Sequence, residues 1–262
     1  MRTVVHLSDL HFGRVDPVIA SALPVHLATL APDLTVISGD FTQRARRAQF
    51  QEARAFLEAL PTPRLVVPGN HDVPLYNVAA RLLAPLAGYR RHITADLAPM
   101  FADTEMLVFG INTTRSLTIK GGRIRQTDVK RLRDALRHAG KAVVKIIVAH
   151  HPFEPSAKAG DAVDVLTEAG ADIFLTGHLH VSYTGHTAHR YQRGARSAIA
   201  VEAGTATSTR IREAANTFNV LRIAPSRIVV ERIAWQATGE FRIVDIQPFE
   251  RTGDGWRAAQ GD

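Results

Sequence analysis

Five short clusters of metal-ligating side chains punctuate this sequence: Asp9-Leu10-His11, Gly39-Asp40, Gly69-Asn70-His71-Asp72, His150-His151-Pro152 and Gly177-His178-Leu179-His180. Carboxylate oxygen, imidazole nitrogen and amide oxygen together suit borderline divalent metals such as Mn, Fe, Co or Zn. The chain has no cysteine, so thiolate sites and disulfides are both excluded. Two aspartates, an asparagine and at least three histidines exceed what one ordinary site takes. Two ions sharing a bridging carboxylate would use them all. Twelve histidines are present in all, and a single histidine is more often a core or solvated residue than a ligand. His6, His26, His92, His138, His186 and His189 are read that way, because none stands in such a cluster.

The clusters gain weight from the elements that precede them. Residues 3–8, 34–38, 64–67, 106–112, 143–149 and 172–176 read as buried strands. Asp16-Pro17 gives an N-cap and first helical position for a helix reaching about Leu30, with a kink expected at Pro24. Residues 47–60, 127–139 and 163–169 also read as helices, and 74–99 as helical with breaks. Strand–helix alternation of this kind predicts parallel strands with helices on them. After residue 180 the segments 197–202, 217–223, 227–235 and 240–246 are β-rich and separated by turns, which predicts a second, mainly antiparallel sheet. A single domain over 1–251 is expected, with a polar tail at 252–262 that frays. Each cluster lies where a strand ends, and ligands in open α/β sheets gather beyond the carboxyl ends of the strands. The period of two along a strand then aims Asp9 with His11, and His178 with His180.

Composition narrows the setting. At 45% hydrophobic and 22% charged residues the chain can build a sizeable core. Its apolar runs are strand-sized, so no membrane span is expected. The first residues enter a strand at once, without a secretory signal, and a cytoplasmic location is expected. The net charge of +7 can steer anions. Its arginines are scattered, so nucleic acid is expected only as a substrate. A homo-oligomer is compatible with these features.

In their order, the D-x-H, G-D, G-N-H-D, H and G-H-x-H blocks resemble the calcineurin-like metallophosphoesterase superfamily. That resemblance implies an α/β fold, a four-layer αββα sandwich of two mixed sheets flanked by helices. It implies that Asp9, His11, Asp40 and His180 hold one metal, and that Asp40, Asn70, His150 and His178 hold the other, with Asp40 bridging. His150 rather than His151 matches the family's ligand two residues before a proline. His71 would stay off the metals and face the substrate phosphate. Asp72 is expected to accept a hydrogen bond from His71 and fix its tautomer, or else to cap the following turn. Two divalent metals would lower the pKa of bound water, so that a hydroxide attacks phosphorus while His71 assists the leaving oxygen.

The family's protein phosphatases read G-D-x-x-D-R-G and G-N-H-E, from which Gly39–Ala45 and Gly69–Asp72 depart. The G-D-F-T and G-N-H-D forms look more like bacterial class III cyclic nucleotide and glycerophosphodiester phosphodiesterases, so a small phosphodiester is the expected substrate. A phosphomonoesterase or nuclease of the same superfamily is the alternative, and a silent binding scaffold is less compatible with a full ligand set. Asn112, Arg115 and Arg14 follow strand ends and are candidate substrate contacts.

Overall fold

The computed structural model describes residues 1–262 except 117–120, 154–159, 192–195, 211, 214 and 260–262. From the N-terminus, β1 (Arg2–Leu7) leads to α1 (Pro17–Leu30), β2 (Leu34–Ile37), α2 (Arg47–Ala59) and β3 (Arg64–Val66). Short helices α3 (Val78–Leu83) and α4 (Ala87–His92) precede β4 (Met100–Ala102), β5 (Met106–Ile111), α5 (Gln126–His138) and β6 (Val144–Ala149). Then come α6 (Gly160–Glu168), β7 (Ile173–Thr176), β8 (Tyr183–His186), α7 (Thr187–Tyr191) and β9 (Ile199–Glu202). The chain closes with β10 (Thr217–Ile223), β11 (Arg227–Trp235), β12 (Phe241–Thr252) and β13 (Gly255–Ala258).

Two mixed sheets result. One runs β13-β12-β11-β10-β1-β2-β3, the other β4-β5-β6-β7-β9-β8. The expected division into an early parallel and a late antiparallel sheet is corrected here. The parallel strands are split between the sheets, and β10 joins the first by pairing antiparallel to β1, Arg2 opposite Ile223. Strands β10 to β13 thus widen the N-terminal sheet instead of forming their own, because β1 would otherwise expose an unpaired edge, while β9 joins the other sheet parallel to β7.

Alternation along the strands sorts the core into layers. Val4, Val36, Val108, Ile146 and Val201 fill the space between the sheets. One residue further on, Val5 and Ile37 face the other way, onto Leu23 and Leu27 of α1 and Phe50 of α2. Ile147 and Phe174 likewise pack against Leu132 and Leu136 of α5 and Leu166 of α6. The layers are therefore helix, sheet, sheet, helix.

Asp16 caps α1 by accepting from the Val18 and Ile19 amides, and the helix continues through Pro24. The expected frayed tail is also corrected. Residues 255–258 form β13, Trp256 is buried, and its indole donates to Asp172 Oδ1 at 2.9 Å. An indole that covers apolar surface and finds an acceptor is enough to order a short terminal strand.

Candidate metal centre

The ligand-bearing loops after β1, β2, β3, β6 and β7 meet at one edge of the packed sheets. The first two run side by side: the Asp9 amide donates to Gly39 O at 3.1 Å and the His11 amide to Asp40 O at 2.9 Å. The last two are joined by the Gly177 amide donating to His150 O at 3.0 Å.

The backbone here is not strand. Asp9, His11, Asp40, His178 and His180 all have left-handed φ, between 54° and 73°. The expected period-two alternation therefore does not apply, since β1 stops at Leu7 and β7 at Thr176. The side chains converge for another reason: each residue turns inward at a conformation that costs an L-residue about 1–2 kcal/mol. Strain repeated at five candidate ligands marks a functional site. Gly39, at φ 101°, completes the approach. A Cβ there would stand 2.6 Å from His150 Nδ1.

Two donor groups face each other. In the first, His11 Nε2 and His180 Nε2 lie 2.9 Å apart, and buried Asp9 Oδ1 is 3.5 and 3.1 Å from them. In the second, His150 Nε2 lies 3.1 Å from Asn70 Oδ1, and the His150 and His178 rings are 5.1 Å apart. Asp40 stands between, with Oδ2 3.7 Å from His11 Nε2 and Oδ1 3.4 Å from His150 Nε2. Hydrogen bonds fix which nitrogens point inward. His150 Nδ1 donates to Ser38 O at 2.7 Å, and His180 Nδ1 to Arg210 O at 2.8 Å. Each leaves its Nε2 lone pair aimed at the centre. Imidazole lone pairs and carboxylate oxygens that converge so closely fit divalent cations.

The electrostatics match. Burial opposes ionisation of Asp40, but His150 and His11 outweigh it and hold the carboxylate below its usual range. Asp9 behaves alike, with His11 and His180 overcoming burial. Burial opposes a charge on His150 too, yet Asp40 pushes it up to about 9. His178 is driven down to about 4 by burial and then by His150. Both aspartates are therefore anionic at neutral pH.

His151 sits in the same histidine group as His150 and His178. Its Nδ1 is engaged with Thr113 Oγ1 at 2.8 Å, and it is His150 that faces Asp40 and Asn70.

Asp72 corrects an expectation. It does not bond His71. Its carboxylate accepts from the amides of Gly69 (2.9 Å), Phe41 (3.3 Å) and Thr42 (2.9 Å) and from the Thr42 hydroxyl (3.1 Å). In a single 3-10 turn at Asn70–Asp72 the carboxylate folds back on the chain, so it ties the β2 and β3 loops together. Burial, then Asp40, raises it to about 7.

His71 Nδ1 instead donates to Gln43 O at 2.8 Å. That leaves Nε2 unprotonated, accepting from Arg210 Nη1 at 3.4 Å. Burial lowers the His71 pKa, with Asp40 opposing and His11 and Arg210 assisting. Arg44 Nη1 lies 3.3 Å from the other ring nitrogen.

Sequence reasoning missed Arg210, Arg44 and Gln43. Arg210 follows the small, hydroxyl-rich run Thr205-Ala206-Thr207-Ser208-Thr209. The run is itself a signal. Thr205 Oγ1 donates to Asp9 O at 2.7 Å and Thr207 Oγ1 to Leu10 O at 2.9 Å, which docks this loop onto the first ligand loop. Of the expected substrate contacts, Asn112 and Arg115 line an open cleft beside the centre. Asn112 Oδ1 is occupied by the Thr114 amide and hydroxyl. Arg14 is exposed, and its guanidinium makes no hydrogen bond or ion pair among the described residues.

Comparison with known proteins bears on this geometry. A glycerophosphodiester phosphodiesterase of Enterobacter lignolyticus is 32% identical over 80 residues, covering 26% of this chain and 29% of that protein. A Synechococcus protein named "probable cyclic nucleotide phosphodiesterase" is 30% identical over 81 residues, covering 28% of this chain and 32% of that protein. The chain thus matches about a third of the length of these curated relatives. A purple acid phosphatase from yellow lupin superposes with a TM-score of 0.71 at 13% identity over 94% of this chain and 53% of that one, a likeness of fold alone. The family model for calcineurin-like phosphoesterases matches residues 2–182, which hold every ligand-bearing cluster, and the chain belongs to that family.

Proposed function

We propose that this protein is a dimetal-dependent phosphodiesterase acting on small phosphodiesters of the cyclic nucleotide or glycerophosphodiester type. The observation that carries the reading is Asp40, whose two oxygens are divided between two histidine groups. Asp9, His11, Asp40 and His180 would hold one ion, and Asp40, Asn70, His150 and His178 the other. Such a pair supplies Lewis acidity and an activated water at neutral pH.

The chain's own residues do the rest. Asp9 and Asp40 offset only part of the charge of two divalent ions, so the centre attracts an anionic ester. His71 Nε2 and the Arg210 guanidinium lie together beside His11, where Arg210 can donate to a phosphate oxygen. His71, neutral at pH 7, accepts a proton before it can give one, and a bound phosphate anion raises its affinity for that proton. The GDFT and GNHD forms, and the two relatives named as phosphodiesterases, support diesters over monoesters.

The test has two parts. Asp40→Ala is expected to lower occupancy of both metal positions by elemental analysis, and full occupancy would remove the bridging assignment. With Mn restored, bis(4-nitrophenyl) phosphate is expected to show a higher kcat/KM than 4-nitrophenyl phosphate. The reverse order would make the protein a monoesterase.

A further inference from the structure

Between the segment after β3 and the loop after β5 lies a cleft of about 990 Å³. Arg90, Arg115, Arg123 and Arg125 line it, with no acidic residue among its described lining residues. None of these four guanidiniums makes an ion pair among the described residues, although the protein pairs many other arginines, such as Arg2, Arg190 and Arg251. Like charges gathered without counter-charges repel one another, and an anion relieves that repulsion. The first turn of α5, at Gln126 and Thr127, opens on the same cleft and adds the positive end of a 13-residue helix.

The cleft adjoins the metal centre through the chain itself. Asn112 lines it, and the next residue, Thr113, holds His151 beside the ligand His150. The Arg123 amide donates to Thr113 O at 3.0 Å, which ties Arg123 to this contact. The cleft wall at Asn112 is thus one residue along the chain from a contact of the centre.

We propose that the cleft is a second anion subsite, and that the substrate is a phosphodiester carrying a second phosphate. This rests on the phosphodiesterase reading and narrows it. Four exposed guanidiniums each contribute modestly, so the combined effect on KM is roughly tenfold.

A matched pair of probes tests it: thymidine 5′-(4-nitrophenyl phosphate), and the same compound with a 3′-phosphate. The Mn-loaded protein is expected to show a KM roughly tenfold lower for the second, with kcat within a factor of two. In an Arg123→Ala, Arg125→Ala double variant the ratio of KM values should fall close to one, and in the Arg→Lys counterpart it should largely persist. Both positions are exposed, and circular dichroism checks that the variants fold. A second readout needs no turnover. Thymidine 3′,5′-bisphosphate should bind the chelator-treated protein more tightly than thymidine 5′-phosphate in calorimetry, and the advantage should shrink with salt. Equal KM values for the two probes, or a preference that survives in the alanine variant, would overturn the subsite. Hydrolysis of neither probe, with arginine-dependent bisphosphate binding retained, would uphold the subsite and remove the phosphodiesterase reading.

Discussion

At the scale of single residues, the proposed function divides between His71 and Arg210 work that the sequence assigned to the histidine alone. The His71 Nδ1 proton is committed to Gln43 O, and Nε2 faces Arg210 Nη1. His71→Ala should therefore keep its metals, since no ligand is lost, while turnover falls by ~10²–10⁴. If His71 gives a proton to the leaving oxygen, the loss is largest for alkoxide leaving groups such as ribose or glycerol and smaller for nitrophenolate. Comparing kcat for both classes, with metal content measured, checks this; equal losses would leave only phosphate positioning. The candidate ligands stood out in the sequence because each carries its own local mark, a glycine, a proline or a D-x-H spacing. Arg210 did not, because it meets His71 across 139 residues with no pattern to announce it. Asp72 stood out beside His71, but its carboxylate has other partners. Its partners are mostly backbone amides, which every residue type except proline possesses.

At the scale of elements, strands and helices were readable from apolar runs and periodicity, and the loops' positions followed. The conformation inside those loops was not. Asp9, His11, Asp40, His178 and His180 are left-handed, whereas continued strand alternation would have aimed them without strain. Sheet membership was equally hidden, since whether β10 pairs with β1 or with its own neighbours is a long-range choice that local composition does not encode. The loops can be tested with two glycines of positive φ. Gly39→Ala meets both the backbone penalty and the His150 ring, whereas around Gly239, at φ 83°, no atom lies within 4 Å of an added Cβ. Gly239→Ala should cost about 1 kcal/mol, the penalty for left-handed backbone alone, and leave metal binding intact. Gly39→Ala should cost more, and should weaken metal binding by displacing His150. Denaturant midpoints and metal titrations of the two variants separate backbone strain from ligand displacement; matched behaviour would mean that the His150 ring adjusts freely.

At the scale of the whole molecule, the centre draws on both sheets. Asp9, His11, Asp40 and Asn70 follow strands of the seven-stranded sheet, and His150, His178 and His180 follow strands of the six-stranded one. Metal binding should therefore stabilise the packed pair of sheets as a unit, by mass action. In the metal-free protein, part of that role falls to the His150–Asp40 ion pair. Unfolded, His150 titrates near 6.5; folded, burial opposes its charge but Asp40 holds it up to about 9. Below pH 6.5 the residue is protonated in both states and the pair contributes in full. As pH rises through 9 the folded protein loses this proton, and a contribution on the order of 3 kcal/mol is lost with it. The raised His180 acts in the same direction, whereas His178 and His151, with lowered values, exert their effect only below about 6.5. Chelator-treated protein should accordingly lose stability between pH 6.5 and 9. Metals demand unprotonated imidazole, so proton and metal compete for the same nitrogen, and the metal-loaded protein should hold or gain stability over that range. Denaturant midpoints measured from pH 6 to 10, with chelator and with Mn, give the two slopes. His150→Asn should flatten the chelated slope; a slope unchanged in that variant would place the titrating group elsewhere.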